Sequence, residues 1–220
     1  NLLMKSHALL PFFFDSIKLQ EELMSCMDAW HHHFNTDNYS GEWSIITLRK
    51  AKGSNHLASA GNLSTSEYED TPLMEDLKYT KEVLNHLEAP KLAIRYMRLT
   101  PGSEINPHKD YDLVFWDGYV RLHIPILTNE QVEFIIDGEK LPMKTGECWF
   151  GDFSKTHTVC NKGVSDRVHL VIDCQVNNWM ESLFEQEGIL EPGEQAPDPF
   201  LQMPASAQLY HLVKESLSAL

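Results

Sequence analysis

The sequence predicts a mainly β protein, a sandwich or barrel with helices packed on its outside. Two observations carry that prediction. From Lys91 onward, short β-branched and apolar runs recur at close, even spacing with turn-forming pairs between them. Before that point the apolar residues recur mostly at helical spacing, which supplies helices for the outside of such a core. The chain has 220 residues, 42% hydrophobic and 23% charged, which suits one domain with a sizeable core, or one domain and an appendage.

In order, residues 1–14 read as an extended segment, with Asp15 or Ser16 available as an N-cap. Ile17, Leu19, Leu23, Met24, Met27 and Trp30 recur at roughly helical spacing, which predicts a helix over 16–32. His31-His32-His33 follows; a histidine tract can bind metal, but three adjacent rings cannot face one ion from a helix, so a solvated helix end is expected. Trp43 to Arg49 reads as a strand. Residues 51–72 are polar and turn-rich, either a functional lid or a long surface connection. Met74 to Leu87 is helical in pattern and Ala89-Pro90 ends it.

Strands are then expected at Leu92–Leu99, Tyr119–Leu127, Val132–Ile136, Glu147–Asp152, Thr156–Asn161 and Arg167–Val176. Thr128-Asn129, Asp137-Gly138, Thr145-Gly146 and Lys162-Gly163 supply the turns between them. The domain is expected over 1–186, with its core at 43–176. A Pro-rich linker and a C-terminal helical appendage follow over 187–220, and the helical pattern from Ala205 to Leu220 runs on without a stop signal.

The net charge of −14 argues against nucleic acid as a partner, because that binding needs a basic surface to displace counterions. An anionic ligand must then meet a locally basic pocket, which draws attention to each arginine in an apolar strand. Cys26, Cys148, Cys160 and Cys174 form no CxxC pair and read as small buried hydrophobes in a reducing compartment. Ala8 to Phe14 is too short and Pro-broken for a membrane span, so a cytoplasmic protein is expected.

The stretch from Pro107 to Gln175 carries the chemistry. Successive side chains of an extended chain alternate, so His108 and Asp110 project the same way. A second histidine from a neighbouring strand completes two imidazoles and one carboxylate, the facial triad of non-haem Fe(II) oxygenases, with coordination positions left open. His157 follows a Gly-Glu-x-Trp-Phe-x-Asp run, and Arg167 comes ten residues later in an otherwise apolar strand. A lone guanidinium is expensive to bury there, and a carboxylate ligand held bidentately is its simplest compensation. Arg121 and His123 share one strand face, the one expected to point at the metal. An HxD pair by itself is weak, since two-residue motifs arise by chance.

Together, His108-x-Asp110, Arg121-Leu-His123, Gly146-Glu-x-Trp149-Phe-x-Asp152, His157 and Arg167-x-x-Leu-x-x-Asp173 resemble the aspartyl/asparaginyl β-hydroxylase family. The likeness extends over about residues 43–176 and is greatest to the bacterial branch that includes proline 3-hydroxylase, which shares the run from Met143 to Asp152. The resemblance implies a double-stranded β-helix, the jelly-roll fold of cupins, and an Fe(II)- and 2-oxoglutarate-dependent dioxygenase that uses O2. It implies His108, Asp110 and His157 as iron ligands, Arg167 on the distal carboxylate of 2-oxoglutarate, and Arg121 and His123 as second contacts there. Animal peptide-hydroxylating members lack the carboxylate at the Asp110 position, so the full triad favours hydroxylation of a free amino acid or a small amino-acid-derived metabolite.

Three other readings compete: a peptidyl Asp/Asn β-hydroxylase, a cupin-like metal-binding protein without oxygenase activity, and a binding module with a vestigial triad. A cupin-like site has no need of Arg167. For the substrate, Tyr111, Asp112, Phe115, Trp116 and Asp117 either wall the iron site or only pack the barrel mouth, and Arg95 or Arg98 is placed to take a substrate carboxylate.

Overall fold

The computed structural model describes residues 4–33, 36–54 and 67–193. Its elements are β1 (His7–Phe13), α1 (Ser16–Met24), β2 (His31–His32), β3 (Tyr39–Ser40), β4 (Trp43–Ala51), β5 (Tyr68–Asp70), α2 (Leu73–Asp76) and α3 (Lys78–Asn85). Then follow β6 (Lys91–Leu99), β7 (Glu104–His108), β8 (Tyr119–Leu127), β9 (Val132–Ile136), β10 (Glu139–Lys140), β11 (Glu147–Gly151), β12 (His157–Asn161), β13 (Arg167–Gln175) and α4 (Asn178–Gln186).

The strands form two antiparallel sheets. The major sheet runs β1-β11-β8-β13-β6-β4-β2, with β5 added to β4, and the minor sheet runs β10-β9-β12-β7-β3. Alternation on the major strands makes two cores. Met97, Leu99 and Val171 face inward, where they meet Ile105, Phe134 and Val159 of the minor sheet. Ile94, Tyr96, Leu170 and Ile172 face outward and are covered by Leu19 and Leu23 of α1, Val83 of α3, and Met180 and Phe184 of α4. Both faces of β13 are thus out of water, which is why that strand reads as a nearly unbroken apolar run with a few polar exceptions. This is the expected jelly-roll sandwich with helices outside.

Local chemistry explains the details. Asp15 is the N-cap of α1 and accepts from the amides of Ile17 and Lys18 at 3.0 and 3.3 Å. Asp137-Gly138 turns β9 into β10 with both residues at positive φ, 51° and 82°, as a two-residue hairpin turn of the primed type requires. The helix expected over 16–32 stops at Met24; a 3-10 turn at Met27–Ala29 carries the apolar spacing onward, and Trp30 is already extended. Edge pairing of β2 with β4 wins over helix continuation. The helix expected over 74–87 is broken at Leu77, whose backbone leaves the helical region between α2 and α3.

Beyond α4, Ile189 and Leu190 still pack into the outer core. Most of the lid or connection expected over 51–72, and the helix expected from Ala205, lie outside the described residues. Among the described residues no helix is long and apolar enough to cross a membrane.

Candidate active site

β7 and β12 lie side by side in the minor sheet with His108 directly opposite His157. Their rings sit 4.1 Å apart between centroids. Asp110 comes two residues past His108, just beyond the strand, and its amide donates to the Phe153 carbonyl at 2.9 Å. Ligand atoms of His108, Asp110 and His157 therefore all lie within 4.8 Å of one another.

The two imidazoles are oriented in the same manner. His108 Nδ1 lies 2.8 Å from the carbonyl of Asn106, and His157 Nδ1 lies 3.0 Å from that of Lys155. A carbonyl only accepts, so each Nδ1 donates to it and Nε2 is the ring nitrogen left to face the cluster. Burial holds His157 neutral, down to about 4, against the opposing pull of Asp110. Two imidazoles and one carboxylate are a donor set that could hold a cation.

A line of charges ties this cluster to the major sheet. Arg121 Nη1 donates to Asp110 Oδ2 at 2.6 Å, while Arg121 Nε and Nη2 grip the two oxygens of Asp173 at 2.6 and 3.1 Å. Arg95 donates to Asp173 from the other side. Asp173 is fully buried; burial would raise its pKa, but Arg121 and Arg95 hold it below the usual carboxylate value. Arg121, expected as a contact of 2-oxoglutarate, thus has three nitrogens engaged by carboxylates of the chain itself.

Arg167 is different. It is 1% exposed, and among the described residues no carboxylate pairs with it. Its Nη2 lies 2.9 Å from His169 Nδ1, its plane sits 5.3 Å from the Phe134 ring, and its Nε has no partner. Burial alone drags its pKa down to about 9. His169 continues to His123 through an Nδ1–Nδ1 contact of 3.1 Å. The His123 ring stacks on Phe153 at 4.9 Å, and Phe153 meets His157 edge-on at 4.9 Å. A packed chain of side chains therefore links the uncompensated guanidinium to the His-Asp-His cluster.

Several sequence expectations change here. His31 and His32 are strand residues, and His33 is only 7% exposed, stacked on Trp43 at 3.5 Å, so the tract is not a solvated helix end. Phe115 packs in the outer core, stacked on Phe184 at 5.6 Å, with Trp116 against it. Tyr111 is 82% exposed, and Asp112 and Asp117 are exposed too. Phe115 and Trp116 do not wall the His-Asp-His cluster, because the 3-10 turn at Phe115–Asp117 aims both aromatics to the helix side. Arg98 bonds Glu42 and Ser44 and lies over Trp30, which packs against the outer core, so it cannot serve the inner site; Arg95 faces inward, onto Asp173.

Asp173 and His169 were in view in the sequence without a role. Their spacing from Arg167 on one strand, two residues for His169 and six for Asp173, was the available signal. The Gly-Glu-x-Trp-Phe-x-Asp run is scaffolding: Glu147 accepts from the Trp149 indole and the Lys144 amide, and Asp152 caps the turn at Ser154.

Over 185 residues, 81% of this chain, the sequence is 29% identical to L-proline cis-4-hydroxylase of Rhizobium meliloti (strain 1021), and the chain spans 64% of that relative's length. A solved 2OG-Fe(II) oxygenase family oxidoreductase from Burkholderia pseudomallei superposes with a TM-score of 0.52 at 14% identity, covering 78% of this chain and 86% of that one, and so shares the fold. The family described as Aspartyl/Asparaginyl beta-hydroxylase matches residues 16–176. The chain, matched over most of its length and with its His-Asp-His cluster on a jelly roll, belongs to the aspartyl/asparaginyl β-hydroxylase family.

Proposed function

We propose that this protein is an Fe(II)- and 2-oxoglutarate-dependent dioxygenase that hydroxylates a C–H bond of a free amino acid or a small amino-acid-derived metabolite. The observation that carries the reading is a His-Asp-His cluster linked through packed rings to a buried arginine that has no counter-anion among the described residues. The donor set fits a divalent iron, and the orphaned guanidinium fits a carboxylate. His108 and His157 would present Nε2 and Asp110 its Oδ1, with Oδ2 held back by Arg121. Arg167 would take the distal carboxylate of the 2-oxo acid. His123, next in the chain of rings, belongs to the same pocket.

The chemistry these groups supply when bound is oxidative decarboxylation of 2-oxoglutarate to succinate and CO2, one oxygen of O2 entering succinate and the other a substrate C–H bond. The rest is the protein's part. Phe134 and Phe153 pack around His123 and His169 and keep water from the pocket. Asp173 and Arg95 lock Arg121, which in turn fixes the rotamer of Asp110.

The relative that acts on L-proline supports a substrate of free amino-acid size. Succinate release with Fe(II), 2-oxoglutarate and a panel of free amino acids, followed by mass spectrometry for a gain of one oxygen, tests this. No amino-acid-dependent succinate above the uncoupled background, alongside hydroxylation of a peptide library, would overturn it in favour of a peptidyl hydroxylase.

A further inference from the structure

The two oxygens of Asp110 have different neighbours. Oδ1 lies 3.6 Å from His108 Nε2, on the side of the His-Asp-His cluster. Oδ2 accepts from Arg121 Nη1 at 2.6 Å. Both ends of that second contact are anchored. The Asp110 amide is tied to the Phe153 carbonyl at 2.9 Å, and the other two nitrogens of Arg121 are held by Asp173 at 2.6 and 3.1 Å. Asp173 is fully buried, lies directly opposite Arg121 in the pairing of β8 with β13, and is braced by Arg95 from its other side. A guanidinium is planar and rigid, so with Nε and Nη2 spent on Asp173 the direction of Nη1 is set, and it is set on Asp110.

A carboxylate can give a cation one oxygen or two. Which it gives decides how much of the coordination shell is left for anything else. Two imidazoles and one oxygen take half of an octahedral shell, and a second oxygen from Asp110 would take one position more. We propose that Arg121 is a positioning residue that keeps Asp110 a one-oxygen ligand, and so keeps a coordination position open beside the cosubstrate. Asp173 acts one step further back, by fixing Arg121. The inference rests on the proposed function above, since it presumes that the cluster holds a metal and that a 2-oxo acid joins it there. It goes beyond that reading by giving Arg121 control over the open positions, in place of the contact to the cosubstrate expected from the sequence.

An ion pair that only ties the strands together makes a different forecast. Its loss would lower stability and leave the surroundings of the metal as they are. The test therefore counts exchangeable waters on Mn(II), read from the relaxation of water protons in the Mn(II)-loaded protein, before and after saturation with 2-oxoglutarate. Arg121→Gln keeps a donor for Asp173, directly opposite, and is too short to hold Asp110 as well. Arg121→Lys keeps the charge but offers one nitrogen where three are in use, and buried Asp173 claims it.

In Arg121→Gln the relaxation enhancement should fall by about a third, the share of one open position in three. With 2-oxoglutarate bound, the wild type should keep part of its enhancement and the variant should lose nearly all of it. A wild-type water count in the variant overturns the proposal. So does a rise, which would mean that Arg121 keeps Asp110 on the ion instead of limiting it. If Arg121→Gln does not fold, Arg121→Lys decides by the same readings: a lost water supports the proposal, and a wild-type or higher count overturns it. A wild type that shows no Mn(II) enhancement, or whose enhancement ignores 2-oxoglutarate, sinks the proposed function and this inference with it. A wild type that gives up waters to 2-oxoglutarate, with variants indistinguishable from it, sinks the inference alone.

Discussion

Arg121 and Arg167 lie on the inner face of adjacent strands of the same sheet, and their surroundings are opposite. Arg121 is gripped by Asp173 and Asp110, so its charge is compensated and its pKa is raised despite burial. Among the described residues Arg167 meets only an imidazole nitrogen and an aromatic face, and burial pulls its pKa down to about 9. A compensated buried charge is scaffold; an uncompensated one marks where a ligand of opposite charge belongs. Under the proposed function, the contrast separates the residues that hold the His-Asp-His cluster in shape from those that would take the cosubstrate.

The strongest way to break the contrast is Asp173→Asn. It leaves Arg121 and Arg95 facing a neutral amide, and removing one partner of a buried pair costs ~3–5 kcal/mol. Urea unfolding should show that loss; wild-type stability would mean the network is not what holds Arg121.

Arg167→Met should do the reverse. The metal-free protein gains stability, having lost an unpaired buried cation. Its 2-oxoglutarate affinity falls by ~2–5 kcal/mol, roughly one and a half to four decades. Melting curves with and without 2-oxoglutarate on the Mn(II)-loaded protein check both halves: a ligand-induced rise in Tm should be present in the wild type and gone in the variant. A persistent rise would assign the carboxylate to some other residue.

Acid should probe the neutral histidines around the same site. His157 and His33 are pushed down to about 4 and about 3, chiefly by burial, with the arginines adding to the shift. Their unfolded-state pKa is ~6.5. The unfolded chain therefore binds more protons as pH falls from 6.5 to 4, and stability is lost across that window by up to ~1.4 kcal/mol per pH unit for each ring. Denaturation of the metal-free protein over that range should show the slope, and His33→Asn should lower it. A flat profile between pH 4 and 6.5 would contradict the buried neutral state.

The smallest effect belongs to the other face of β13. Ile172→Val trims the outer core by one methylene and should cost ~0.5–1.5 kcal/mol with no change in 2-oxoglutarate affinity. A change in affinity there would show that the two faces of the strand are not independent.

The sequence by itself determined the longer strands and the grouping of His108, Asp110 and His157, because both are written in short range. Apolar, β-branched runs bounded by turn residues mark Leu92–Leu99, Tyr119–Leu127 and Arg167–Val176 to within a residue or so of β6, β8 and β13. His108 and Asp110 are two positions apart on extended backbone, and His157 begins the neighbouring strand, so their meeting needs only one strand pair. The oddness of Arg167 was equally local, a charge in an apolar run.

What only the tertiary structure decided were the partners. Arg121 meets Asp173 because β8 pairs with β13 in that register, with Arg121 opposite Asp173; a slip of one residue would turn either side chain to the other face. The same holds for the sorting of Arg95 inward and Arg98 outward, for His33 folding onto Trp43, and for Phe115 turning to the helices. Facing has a period of two in a strand and no fixed period in a loop, so composition and spacing cannot set it until register and packing do.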